Sequence, residues 1–414
     1  MPSFRSPPTT RATAIAALVT TAVACAPADD ASRSAVTVDT LPNGAVRTLS
    51  STPADSGRWA FELLHEIQPP EGDSVELLRP TDVTIADDGS VLVAEGTPAH
   101  VKVFGPDGRF RRRIGREGEG PGEFRVAFIT TRGDSLYVQD PQVARGSTFL
   151  ISTGAFVASR HTACCYWSAI GVDGAGRVVL PSLRAERDTS EGASMHFVRA
   201  AFAGDASDTV RVALTRTSSP PRLWQVRDGG TLRMTVAVPL EPRDVQAVDP
   251  RGGFITAWTG EYLLRTTRDG ADTVALHGRA FAPTSVTPAE KQALVDARIA
   301  RMTAQPGPGT VPEPVLRDAF DVDLIPDVRP PFENFHVDRA GRTWVRRSFA
   351  DTSRVEFDLF GADGVWLDVV RGDGGVWPSS PWAPLGWGAD RVAVPGEDAD
   401  GRPIVRVYAI VRRP

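Results

Sequence analysis

The chain has 414 residues, including 38 Gly and 34 Pro, and 23% of it is charged. Its formal net charge of −5 excludes nucleic acid as the main partner, because phosphate binding needs a basic surface. The Gly and Pro content fits short strands joined by tight turns, in two ordinary domains or one large repetitive one.

Arg5 and Arg11 give a positive start, and "ATAIAALVTTAVA" (12–24) supplies an apolar core of 13 residues. That core is too short to span a bilayer as a helix. Ala22-Val23-Ala24 forms a small-residue cleavage site directly before Cys25. This resembles a bacterial lipoprotein signal, which implies that residues 1–24 are removed and Cys25 is lipidated as residue one of the mature chain. An ordinary A-x-A cleavage would cut the same bond and leave Cys25 unmodified. The polar tract 25–57 reads as a flexible tether. No later segment has 18 consecutive apolar residues, so the expected address is extracytoplasmic, at the cell envelope, with the membrane reached through the lipid anchor.

"RWAFELLHEI" (58–67) reads as a strand with no hairpin partner beside it. "VTIADDGSVLVAEGTPAHVKVFGPDGRFRRRIG" (83–115) then gives four alternating strands, with Asp88-Gly89 and Asp107-Gly108 as tight-turn signals. Its "RFRRRIGR" run (109–116) reads as arginines guarding an outer strand edge. The unit recurs at 128–159, in worn form across "WSAIGVDGAGRVVLPSL" and "HFVRAAFAGDASDTVRVAL", at 243–276 and at 335–370. Residues 384–411 supply only three strands, and 58–67 offers the fourth. The expected fold is therefore all-β: a six-bladed β-propeller of four-stranded antiparallel blades over 58–414, its last blade completed by the N-terminal strand. The hairpin-like 222–240 offers a degenerate seventh blade. Within an insertion at 283–331, residues 285–305 predict a helix. Thr287, Pro288 and Glu290 form a capping box with proline at the first helical position. Ala293, Ala297, Ala300 and Ala304 give it a stripe expected to pack on the propeller rim. The Pro-rich "PGPGTVPEPV" follows.

"RPTDVTIADDGSVLVAEGTPAHVKVFGPDGRFRRRIGREGEGPGEF" resembles an NHL repeat, and the whole chain resembles the six-bladed, TolB-like β-propellers of bacterial envelopes. The resemblance implies the propeller fold and a ligand site at the channel mouth. It leaves activity open, because propellers host many unrelated functions.

Two sets of loops share the face around that mouth in such a meander: the connections between blades, and the loops between each blade's second and third strands. Candidate ligand-binding residues on this rim are Glu123, Arg125, His161, Tyr166, Trp167, Asn334 and Arg347. Cys164 and Cys165 lie in the same loops. Adjacent Cα atoms sit about 3.8 Å apart, below the usual disulfide range of roughly 4.4–6.8 Å. The two cysteines are thus either a strained vicinal disulfide or two packed thiols. Enzyme motifs are missing: there is no G-x-S-x-G, H-E-x-x-H or P-loop. The six histidines are scattered one per segment, so neither a metal site, nor a catalytic set, nor a cofactor is assigned. Asp87-Asp88 reads as a turn former. Two functions remain. One is a non-catalytic binding or scaffold propeller for a protein, peptide or glycan. The other is an envelope enzyme of lyase, lactonase or quinoprotein type with its site in the channel mouth.

Overall fold

Strands Val91–Gly96 and Ala99–Phe104 are buried along nearly their whole length, and Val91, Leu92, Val93 and Ala94 have no exposed surface. A strand covered on both faces must have a sheet packed on each side. In this computed structural model those neighbours are other blades. It describes residues 35–70, 72, 75–162, 171–181, 194–204, 206–213, 222–304, 310–351, 353–372 and 377–414.

Six four-stranded antiparallel blades follow one another. Blade one runs from Pro80–Ile85 to Phe110–Ile114, blade two from Phe128–Arg132 to Phe156–His161, and blade three from Gly171–Val172 to Ser207–Ala213. Blade four runs from Asp244–Val248 to Thr273–Arg279, and blade five from Phe332–Val337 to Trp366–Arg371. Blade six comprises Gly386–Trp387, Arg391–Glu397 and Pro403–Arg412, with Trp59–Ile67 as its outer strand. The first strands of neighbouring blades lie side by side round the central axis, and Arg339 N donates to Gly388 O at 3.2 Å between blades five and six. The arginine run of blade one lies on its outer edge strand.

There is no single core. Each of the six blade interfaces has its own apolar cluster. The richest, between blades five and six, gathers Trp344, Phe357, Trp377, Trp387 and Tyr408. Phe61 enters it from the closing strand, its ring 4.7 Å from that of Trp377. Aromatic rings fill the wedge between splayed blades with large apolar area at little conformational cost.

Two expectations are corrected, and one alternative falls away. Within the tract read as a tether, Val36–Thr40 and Val46–Ser50 form a hairpin whose second strand runs parallel to Thr273–Arg279 and widens blade four to six strands. The polar composition that suggested disorder suits an edge hairpin, which buries only one side of its ladder. Among the described residues, Leu223–Asp228 and Thr231–Ala237 pair only with each other, so the alternative of a seventh blade falls and the six-bladed expectation stands. Trp224 of this hairpin stacks on Phe320 at 4.3 Å, and its indole nitrogen donates to Asp321 O at 2.9 Å. The hairpin and the insertion thus share a small core of their own, with Val295, Ile299 and Leu316. Finally, helix α1 (Pro288–Thr303) buries Val295 and Ile299, while the alanine stripe faces solvent. Larger side chains bury more apolar area per residue, so they set the packed face. Thr287 caps Glu290 N as expected, but the Glu290 carboxylate turns away to pair with Arg329.

Candidate functional site

The loop face is locked by one device repeated in several blades. The side chain ending a blade's second strand accepts backbone N–H groups from the segment entering its first. Glu95 takes Arg79 N at 2.7 Å, Asp140 takes Arg125 N at 2.6 Å, and Thr259 takes Arg243 N at 2.9 Å. Glu95 is itself buried and paired with Lys102 at 3.0 Å. Beside these capped loops, Arg222 of the hairpin and Asp323–Arg329 of the insertion meet Pro242 and Gly260 of blade four.

The proposed rim residues fall into separate groups. Glu123 accepts from Gly120 N at 2.7 Å and Arg116 Nε at 2.8 Å. Those two partners, in that order, hold its carboxyl below the ordinary range. Arg125 pairs with Glu119 at 2.6 Å. Both therefore order the loop between blades one and two. His161 is an exposed end of blade two. Tyr166, Trp167, Cys164 and Cys165 lie outside the described residues, as does Cys25. Asn334 donates to Pro381 O at 3.1 Å. It sits beside a bulge at Glu333 in the first strand of blade five, matched by one at Thr81 in blade one.

Arg347 belongs to a larger constellation that single positions in the sequence did not reveal. Asp358, fully buried, accepts from the Tyr262 hydroxyl, from Arg279 Nε at 2.9 Å and from Arg347 Nε at 3.1 Å. The Arg279 guanidinium lies 4.4 Å from the Tyr262 ring and 4.8 Å from that of Trp366, a cation–π sandwich. Glu356 accepts from Arg347, Arg354 and Arg371. Burial pushes its carboxyl upward, but Arg354 and Arg347 outweigh this and leave it below the ordinary range. A signal was present: "VEFDLF" sets two carboxylates into a strand buried on both faces, where acids need cationic partners.

Two cavities adjoin this network. One of about 230 Å³ is bounded by Arg279, Phe281, Ala282, Arg329, Arg347 and Phe349, with Pro330 and Pro331. The second, of about 410 Å³, shares Arg329 and Pro330 with it and extends along Asp323–Arg329 to Arg222. Closer to the axis, Glu333 lies 3.3 Å from Arg346. Burial raises its carboxyl despite Arg346, Arg243 and Arg329. Arg243 covers the ring of Trp382 at 4.6 Å, and Trp382 is 54% exposed.

On the first strand of blade one, Asp82 accepts from Ile129 N and Val83 N, both at 2.8 Å. Burial pushes its carboxyl up to about 7 against those two amides. At the opposite end of the channel, Arg339 of blade five ion-pairs with Asp87 of blade one and donates to Thr131 Oγ1 of blade two at 2.6 Å. No group of His, Cys, Asp and Glu with metal-ligand geometry occurs among the described residues.

No protein-family model and no curated protein matches the chain. Among solved structures, it is similar to a protein classed as exported, from Bacteroides fragilis, at 9% identity and TM-score 0.45, covering 88% of this chain and 99% of that one. A member of the DUF4221 family from Bacteroides vulgatus matches at 8% identity and TM-score 0.48, covering 86% and 100%. A catalytically inactive virginiamycin B lyase from Staphylococcus aureus with quinupristin matches at 10% identity and TM-score 0.38, covering 84% and 100%. At such identities these matches assign no function.

Proposed function

We propose that this protein is an extracytoplasmic binding propeller, anchored to the envelope membrane through Cys25, that holds a protein, peptide or glycan ligand on its loop face. The observation that supports this reading is the inequality of the two channel ends. Arg339 bridges blades five, one and two at one end. The other carries capped loops, an added helical module, two cavities and the exposed Trp382. Concavity combined with an aromatic and several guanidinium groups is the composition of a recognition surface.

The test uses the mature chain, immobilised at its C-terminus and probed with arrays of envelope glycans and peptides. Binding should be lost in a Trp382→Ala, Arg243→Glu double variant and kept in Arg339→Gln. Binding indifferent to the double variant, or an array with no binder, overturns the reading. The anchor is tested separately. The precursor should partition into detergent, and Cys25→Ser should move it to the aqueous phase.

A further inference from the structure

The smaller cavity carries more information than its size suggests. Its three arginines come from three places in the chain: Arg279 ends blade four, Arg329 ends the insertion, and Arg347 ends the second strand of blade five. None of the carboxylates that balance them bounds the cavity. Asp358 and Glu356 are buried behind the guanidinium groups, and Glu290 pairs with Arg329 from helix α1. The layering is therefore carboxylate, guanidinium, cavity.

Asp358 engages Arg279 and Arg347 through their Nε atoms. Arg279 Nη1 donates to Ala280 O at 2.8 Å, and Arg347 Nη1 to Glu356 at 3.1 Å. The Nη2 group of each takes no protein partner among the described residues, and both residues bound the cavity. Five arginines (279, 329, 347, 354 and 371) meet only three carboxylates (Glu290, Glu356 and Asp358) in this network. In a chain of net charge −5, that is a local excess of positive charge. Guanidinium groups oriented from behind by carboxylates are preorganised to receive a planar anion by paired N–H donation.

The rest of the wall is mainly apolar, with Phe281, Ala282, Phe349, Pro330 and Pro331, and adds the hydroxyl residues Thr284 and Ser348. The volume, about 230 Å³, equals roughly eight waters at ~30 Å³ each. An inorganic oxyanion would leave the apolar wall unused. We infer that this cavity is a binding site for a small carboxylate-bearing molecule of about monosaccharide size, its carboxylate on Arg279 and Arg347 and its body against Phe281 and Phe349. The assignment rests on the reading of this face as ligand-binding and names the chemistry of one subsite.

Isothermal titration calorimetry of the full mature chain tests it, with glucuronate, citrate and benzoate as carboxylate probes and glucose and inorganic phosphate as comparisons. At least one carboxylate should bind with a Kd below about 1 mM, and glucose should give no heat. Phosphate should bind at least about tenfold more weakly than that carboxylate. Ala282 is an exposed wall residue, so Ala282→Glu places a negative charge in the cavity without touching the ion-pair network. It should weaken carboxylate binding at least about tenfold and leave the ligand-free melting temperature unchanged. Three results overturn the inference: silence of all three carboxylates, phosphate binding as tightly as the best of them, or binding unaffected by Ala282→Glu. If any of these occurs while array binding still depends on Trp382 and Arg243, the subsite fails and the binding face stands. If array binding fails as well, both fall.

Discussion

Arg339, in the first turn of blade five, ion-pairs with Asp87 in the corresponding turn of blade one, with blade six between them. The same guanidinium donates to Thr131 of blade two, to Oγ1 at 2.6 Å and to the carbonyl at 3.2 Å. One side chain therefore ties three blades together across an end of the channel. Arg339→Met should lower stability to urea by about 1–2 kcal/mol, the value of two or three hydrogen bonds with partial loss of solvation. Asp87 is half-exposed, so Asp87→Asn should cost less than about 1 kcal/mol. Equal losses in the two variants would place the main contribution in the ion pair.

The N-terminal segment acts as a strap. Val46–Ser50 pairs along blade four, Ala54 N and Asp55 N donate to Trp366 O and Leu367 O of blade five, and Trp59–Ile67 completes blade six. Gly57 N and Trp59 N both donate to the Asp368 carboxylate, at 2.9 and 2.8 Å. Deleting residues 35–50 should expose the edge of Thr273–Arg279, lower the melting temperature and promote aggregation. A dispensable tether would leave both unchanged.

The closing strand packs onto the ring through Phe61, whose ring meets Trp344 at 5.2 Å and Trp377 at 4.7 Å. Phe61→Ala should destabilise by about 3 kcal/mol, as a large-to-small change in a packed cluster does. Leu63, two residues on and 56% exposed, should tolerate Leu63→Ala within about 0.5 kcal/mol. Chemical denaturation of the pair separates the packed position from the solvent-facing one.

The blades were legible where turn chemistry and period-two alternation agree, as in 83–115 and 335–370, and the strand at 58–67 stood out because it had no hairpin partner. The hairpin at 36–50 was not legible. Its five-residue strands are polar on one side, and its partner, Thr273–Arg279, lies more than 200 residues away in the chain. Long-range pairing leaves no periodic trace in sequence. The candidate site was half legible. Arg347 could be placed on the right loop, but Arg279 and Arg329 flank a long insertion, and only the return of the chain from that insertion brings them together. The alanine stripe of α1 misled because spacing marks a face without saying which face is packed.

His277 and His336 contribute to the acid response. Burial, then Arg251 for His277 and Arg346 for His336, lowers each to about 4 from an ordinary 6.5. A histidine held neutral stabilises the fold above 6.5, and that contribution is lost as pH falls from 6.5 toward 4. His277→Gln and His336→Gln should each flatten this limb of a melting-temperature profile. Asp82 has the opposite sign. Its carboxyl, raised to about 7, gives stability that is present below about 4 and is lost as pH rises through 7. Asp82→Asn should therefore remove a decline between about pH 4 and 7, the window in which the histidines raise stability, and so steepen the net rise there. The same slope in Asp82→Asn and the parent between pH 5 and 8 would contradict the assignment.

Hydrogen–deuterium exchange of the mature chain, with and without the tightest-binding array ligand at saturation, tests most directly where this propeller binds. The loop-face reading predicts new protection at 279–284, 328–333 and 346–349, the segments that enclose the arginine cavity, and around the exposed Trp382. The turns at 87–89, 132–134 and 338–341, at the end bridged by Arg339, should exchange as in the free protein. Protection confined to those turns would contradict the account.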